Sequence, residues 1–205
     1  MQEKKDLSEK QIDFLRELGT ICTARAATAL SEFLKNQIDI IVPEVNVVNL
    51  DSLKNILGNP EEVYFVLDIA IEGGIEGRIF FLIPFVDAKI LGSRLLNKNQ
   101  NDIDINDRMF QSAIKEIINI LTGNYMSVIS EMTKVNIFYN VPHLGIDMVG
   151  ALMDFFLIYI AQSSEKVLFI RTHLKVKEDN LAGFFLFFPN LQPLKNLFKV
   201  FNVFN

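Results

Sequence analysis

Three residues of the second half of the chain, Ser112, Glu116 and Asn119, stand at spacing i, i+4, i+7. On an α-helix at about 100° per residue they fall within an arc of about 60°. A hydroxyl, a carboxylate and a carboxamide would then form one short row on stiff backbone. The carboxylate can hold a cation. The carboxamide donates and accepts but does not take up a proton, so it orients a partner and is no general base. Asn is a middling-to-poor helix former, so this position gains nothing local from it. The first half repeats the spacing with Asp13, Glu17 and Thr20, and in both halves a proline, Pro43 or Pro142, follows after 22 intervening residues.

The elements that carry these rows repeat as well. A shift of 99 residues lays 15–43 on 114–142 without a gap, matching Glu17 to Glu116, Thr23 to Thr122, Lys35 to Lys134 and Val42-Pro43 to Val141-Pro142. Farther on, 62–66 resembles 166–170 at a shift of 104, which places a few added residues in a longer helix near 147–162. The chain therefore reads as one domain over 8–204, built from halves 8–98 and 104–204, after a flexible N-terminus at 1–7. Each half reads as long helix, short strand, shorter helix, β-hairpin and closing helix.

Ser8 with Gln11 forms a capping box at the first helix. Ile12, Leu15, Cys22, Ala26, Ala29, Leu30 and Phe33 follow helical spacing. Ile114, Ile117, Ile118, Leu121, Tyr125, Val128, Ile129 and Met132 do so in the second half, nearly opposite the polar row. Val63 to Ile71 alternates as a strand, turns at Glu72-Gly73-Gly74 and returns over 78–83. The counterpart is 167–175, a turn near Glu178-Asp179-Asn180, and 183–188; Arg171, His173 and Lys175 give that strand a wet face. Pro43 and Pro142 are expected to end strand pairing, and Pro84 and Pro189 to mark where each hairpin yields to a helix. The fold class is α+β: long helices over a mostly antiparallel sheet, in two pseudo-symmetric halves.

Composition bounds the function. Of 205 residues half are hydrophobic and 22% charged, enough for a sizeable core and against general disorder. A formal charge of −5, with no dense Lys/Arg patch, argues against nucleic acid as the main partner. One cysteine and a polar start without an apolar signal segment suggest a cytoplasmic protein. The longest apolar run, 79–86, is strand-length and broken by Pro84, so no membrane insertion is expected. Two histidines, His143 and His173, with no second thiol nearby in sequence, make a zinc site unlikely and offer no Ser-His-Asp set. Gly73-Gly74 belongs to a hairpin turn, not to a phosphate loop. Cys22 and the Phe-rich stretches read as core.

The pattern Asp/Ser-x3-Glu-x2-Asn-x22-Pro resembles the signature of the CheC/CheX/FliY family of chemotaxis phosphatases, and the second half meets it in full. The segments 116–125, 26–31 and 147–152 also resemble CheC, and two tandem motifs favour CheC over CheX. The resemblance implies a phosphatase for the aspartyl phosphate of a CheY-like response regulator, the receiver carrying its own divalent metal (Mg) and the phosphatase no cofactor. It implies Asn119 orienting the attacking water, Glu116 docking the receiver through its lysine, and Ser112 shaping the rim. The first row departs from the pattern at Thr20, and Cys22, Ala24 and Arg25 also differ, so Asp13, Glu17 and Thr20 are expected to be a degenerate site. From another class comes the alternative of a non-catalytic module for phosphorylated receiver or for the deamidase CheD, touched through the helix starting near Asp147.

Overall fold

The computed structural model describes residues 9–35, 38–162, 167–176 and 178–189. The Ser8 cap, the arm 1–7 and the closing helix expected beyond Pro189 lie outside these. In chain order the elements are α1 (Glu9–Leu34), β1 (Ile38–Val48), α2 (Leu50–Leu57), β2 (Val63–Gly73), β3 (Gly77–Pro84), α3 (Phe85–Leu96), α4 (Arg108–Thr133), β4 (Ile137–Tyr139), β5 (His143–Met148), α5 (Val149–Gln162), β6 (Val167–Val176) and β7 (Asp179–Pro189). A 3-10 turn, Gln100–Asp102, lies in the polar joint between the halves.

All described strand pairs are antiparallel, in the order β1-β6-β7-β3-β2-β4, with β5 also on β2. The halves are interlocked. The early strand of the first half, β1, pairs with the second half's hairpin, and β4 and β5 of the second half pair with the first half's β2. The pseudo-twofold relation falls between β3 and β7, at the centre of the sheet.

Because side chains alternate across a strand, the sheet has two apolar faces. Phe65, Leu67, Ile69, Ile79, Phe81, Ile83, Ile170 and Phe185 join the core beneath α1, α3 and α4. Tyr64, Val66, Phe80, Leu82, Phe169 and Leu186 meet α2 and α5 on the other side. The result is a single α+β domain in three layers. The apolar stripe of α4 is buried from Ile114 to Val128 as its spacing predicts. Phe33, placed by the same reasoning on the inner side of α1, is 51% exposed. Arg171 and His173 are half-buried and Lys175 exposed, whereas Val167 and Phe169 on the same strand face are buried in the core beneath α2 and α5.

Other sequence expectations need correction. The pairing does not end at Pro43: β1 runs on through a register shift between Ile41 and Glu44. A proline has no N–H to donate, and an irregularity on an edge strand accommodates it. At Pro142 the interruption occurs as expected, between β4 and β5. Asp179 and Asn180 pair within β7, opposite Val176 and Lys175, and are not turn residues. The added length of the second half is in α5, of 14 residues against 8 in α2.

Candidate functional site

α4 begins at the N-cap Asp107, whose side chain accepts from the Met109 N–H at 2.9 Å and lies 3.7 Å from the Lys98 ammonium. Phe110 fixes the first turn from below. Its fully buried ring meets the edge of Phe65, 5.5 Å between centroids, and lies against Gly92 of α3. With Ile114, Ile117, Ile118 and Leu121 also buried, the rotation of the helix about its axis is determined. Ser112 and Glu116 are consequently exposed and Asn119 half-exposed. The row spans about 10 Å at 1.5 Å per residue. Among the described residues none of its three side chains has a hydrogen bond or ion pair with another.

The row continues by one turn. Gly123, four residues after Asn119, falls within the same arc, and Tyr139 of β4 lies over it. A Cβ built on Gly123 would meet the Tyr139 hydroxyl oxygen at 2.8 Å. Alternation along β4 sends Ile137 and Tyr139 toward α4 and Phe138 away. The next residue clamps the strand: the Asn140 side-chain oxygen accepts from the Ala70 N–H at 2.7 Å, and the Asn140 backbone N–H donates to the Ala70 carbonyl at 3.2 Å.

The first row is placed alike but engaged differently. The Asp13 carboxylate accepts from Arg16 at 2.9 Å, and the Thr20 hydroxyl donates back to the Arg16 carbonyl at 2.9 Å. Glu17 is exposed. A hydroxyl that donates to its own helix can still accept from a water but can no longer donate to it, so it fixes a water less fully than a carboxamide does. Nearby, Arg25 pairs with Glu131 of α4 at 2.7 Å, which holds the Glu131 carboxyl below its ordinary range. Cys22 is buried at the α1–α4 contact, with its thiol toward the Tyr125 carbonyl at 3.9 Å, and burial pushes it up to about 12. A neutral, enclosed thiol is packing, not a nucleophile.

Asp147 is exposed and lies in β5 opposite Tyr64, not at the head of a helix. Its side chain accepts from the Met148 N–H at 2.9 Å. The first N–H groups of α5 are taken instead by backbone: Val149 donates to the Glu62 carbonyl and Gly150 to that of Pro60, both at 2.9 Å. Asp147 therefore does not cap α5. Leu152 and Phe156 are core, while Met148 and Phe155 are exposed.

Away from the row, a cavity of about 60 Å³ lies inside the core between α1, α4 and the sheet, lined by apolar residues including Leu15, Ile79, Ile170 and Phe185. Among the described residues no three His, Cys, Asp or Glu side chains gather as a metal site. No described helix is long and apolar enough to cross a membrane. What the surface offers is an open row of unengaged polar groups on a rigid helix. A group to be acted on has to be carried there by another molecule.

Fold and rows together define a class: two interlocked α+β halves, each presenting a polar row on its long helix. Residues 11–47 and 109–146, the segments bearing the two rows, match the model of the CheC-like family. The chain is 28% identical over 196 residues, 94% of either protein, to the CheY-P phosphatase CheC of Bacillus subtilis. It is 25% identical over 140 residues to the flagellar motor switch phosphatase FliY of the same organism, covering 68% of this chain and 36% of that one. The crystal structure of Thermotoga maritima FliY shares the fold at a TM-score of 0.77, with 19% identity over 98% of this chain and all of that one.

Proposed function

We propose that this protein hydrolyses the aspartyl phosphate of a CheY-like response regulator, with Asn119 as the group that places the attacking water. The observation that carries the reading is the unengaged Glu116–Asn119 pair on α4, within the family-matched segment 109–146. The kinship with a CheY-P phosphatase along nearly the whole chain supports the substrate class.

The chemistry suits so open a site. An acyl phosphate is already activated, and phosphoryl transfer depends on positioning and electrostatics more than on covalent help. The carboxamide of Asn119 accepts from a water with its oxygen or donates to it with its NH2, which fixes the water's direction while leaving its protons on it. Glu116, one turn earlier, meets a cationic side chain of the receiver and sets the docking angle. Ser112 borders the contact. In this scheme the divalent metal belongs to the receiver, and the row on α1, whose Asp13 and Thr20 are held by Arg16, contributes little.

A second reading is a binding module that retains phosphorylated receiver or a CheD-type deamidase. It is favoured by the outer side of α5, where Leu157 and Ile158 are 50% and 55% exposed, close in sequence to Asp147. One experiment separates the two. Phosphorylated receiver is mixed with wild type and with Asn119→Ala, and loss of acyl phosphate is followed with binding measured in parallel. The phosphatase reading expects the variant to bind but to lose at least about tenfold in rate, about 1.36 kcal/mol of barrier. Unchanged decay with binding intact would leave only the module.

A further inference from the structure

We infer that Tyr139 is a further receiver-contacting residue, its hydroxyl extending the recognition row one turn beyond Asn119; this rests on the phosphatase reading above.

Three observations converge. First, the hydroxyl lies over Gly123, and a helical rise of about 6 Å separates that position from Asn119 along the same exposed line. Tyr139 is 38% exposed, and its hydroxyl has no hydrogen-bond partner among the described residues. A phenol that is free to donate and accept, at the end of a row of unengaged polar groups, is available to a molecule docked there.

Second, Gly123 needs another reason to be glycine. Its backbone is helical and its φ is not positive. Glycine in a helix interior costs conformational entropy and is a poor helix former. The room left by the missing Cβ is filled by the Tyr139 hydroxyl, which a methyl group would displace.

Third, the two halves differ in this pair together. At the shift of 99 that matches Asn119 to Thr20, Gly123 corresponds to Ala24 and Tyr139 to Ile40. Ile40 packs against the core. The half with the complete row has glycine and phenol; the half with the altered row has a methyl and an aliphatic chain. The glycine–phenol pair and the carboxamide thus stand together in one half and are replaced together in the other.

Contact with the docked receiver, away from the phosphorus itself, predicts an effect on KM more than on kcat. The test is steady-state dephosphorylation of a CheY-type receiver, phosphorylated by a small acyl-phosphate donor with Mg²⁺, by wild type, Tyr139→Phe, Gly123→Ala and Asn119→Ala. Tyr139→Phe should raise KM about two- to tenfold, the range of one lost hydrogen bond, with kcat within about twofold. Gly123→Ala should do the same while leaving the thermal midpoint equal or higher. An unchanged KM in Tyr139→Phe, or a rise matched by a fall in its thermal midpoint, overturns the inference. If Asn119→Ala is inactive and Tyr139→Phe is like wild type, this inference alone falls. If Asn119→Ala is fully active, the phosphatase reading falls and this one with it.

Discussion

At the residue scale, one class of side chain separates the two rows. Thr20 and Asn119 occupy equivalent helix positions, yet the threonine hydroxyl is turned onto the Arg16 carbonyl. A carboxamide at position 20 has one more bond of reach and two ends, so it can leave the helix surface as a hydroxyl cannot. Thr20→Asn in an Asn119→Ala background should therefore restore part of the dephosphorylation rate, to well below the wild-type level, because Ala24 and Ile40 still stand where the other half has Gly123 and Tyr139. Measuring the rate in that double variant, with circular dichroism to confirm folding, decides it; no recovery at all would show that Thr20 is not what silences this half. The rows were legible in the sequence because each is a local pattern at helical spacing. Tyr139 was not, since it reaches the row from another element, through a strand whose register no local pattern reveals. A trace existed in the paired differences Gly123/Ala24 and Tyr139/Ile40, which gain meaning only once Tyr139 is seen above Gly123. Asp147 shows the opposite case: an acidic residue before an apolar run reads as a helix cap, but the N–H groups it would serve are already taken by Pro60 and Glu62.

At the element scale, the rigid mounting of α4 depends on how closely α3 approaches it. Gly92 permits that approach: a Cβ there would lie 2.2 Å from the Phe110 ring. That ring is fully buried and packed on Phe65, so it has nowhere to go. Gly92→Ala gains about 1 kcal/mol of helix propensity, but overpacking a filled core costs typically about 1–3 kcal/mol. Loss should win, and the urea midpoint should fall with the m-value unchanged. A midpoint at or above that of the wild type would mean that α3 slides easily, and that α4 is not clamped where the proposed site needs it. The two long helices and the two hairpins were readable from period-3.6 and period-2 patterns. The exchange of β1 and of β4 and β5 between halves was not. Strand pairing between residues 64 to 138 positions apart leaves no local mark, and a repeat in sequence suits side-by-side halves as well as interlocked ones. The passage of β1 through Pro43 leaves no local mark for a similar reason, because whether a missing N–H matters depends on which edge faces a neighbour.

For the whole molecule, the interlocked sheet with helices on both faces encloses groups that ionise readily once the chain unfolds. Burial pushes the Cys22 thiol, the Tyr64 phenol and the Tyr125 phenol up to about 12 each. Tyr64 donates to the Leu57 carbonyl at 3.2 Å between β2 and α2, and Tyr125 and Cys22 are at the contact of α1 with α4, so they report on both layers. In an unfolded chain such a thiol loses its proton near pH 8.5 and such phenols near pH 10. Between those values and about 12 the native state holds protons that the unfolded state has released. Unfolding then releases protons, the slope of stability against pH is negative, and the stabilisation present below about pH 8 is lost as pH rises toward 12. The thermal midpoint should thus show no pH dependence from these groups between about pH 6 and 8, where their stabilisation is fully present, and should fall increasingly steeply from about pH 9. Tyr125→Phe, which keeps the ring and removes the ionisable hydroxyl, should lessen that alkaline slope while Cys22 and Tyr64 sustain the rest. Midpoints measured across pH 7 to 11 for both proteins check the sign and the share; an equal slope in the two would mean that solvent reaches Tyr125, and that α1 and α4 do not close over the core as one layer. Such an opening would also free α4 to turn about its axis, and the direction in which Asn119 points would no longer be fixed by the fold.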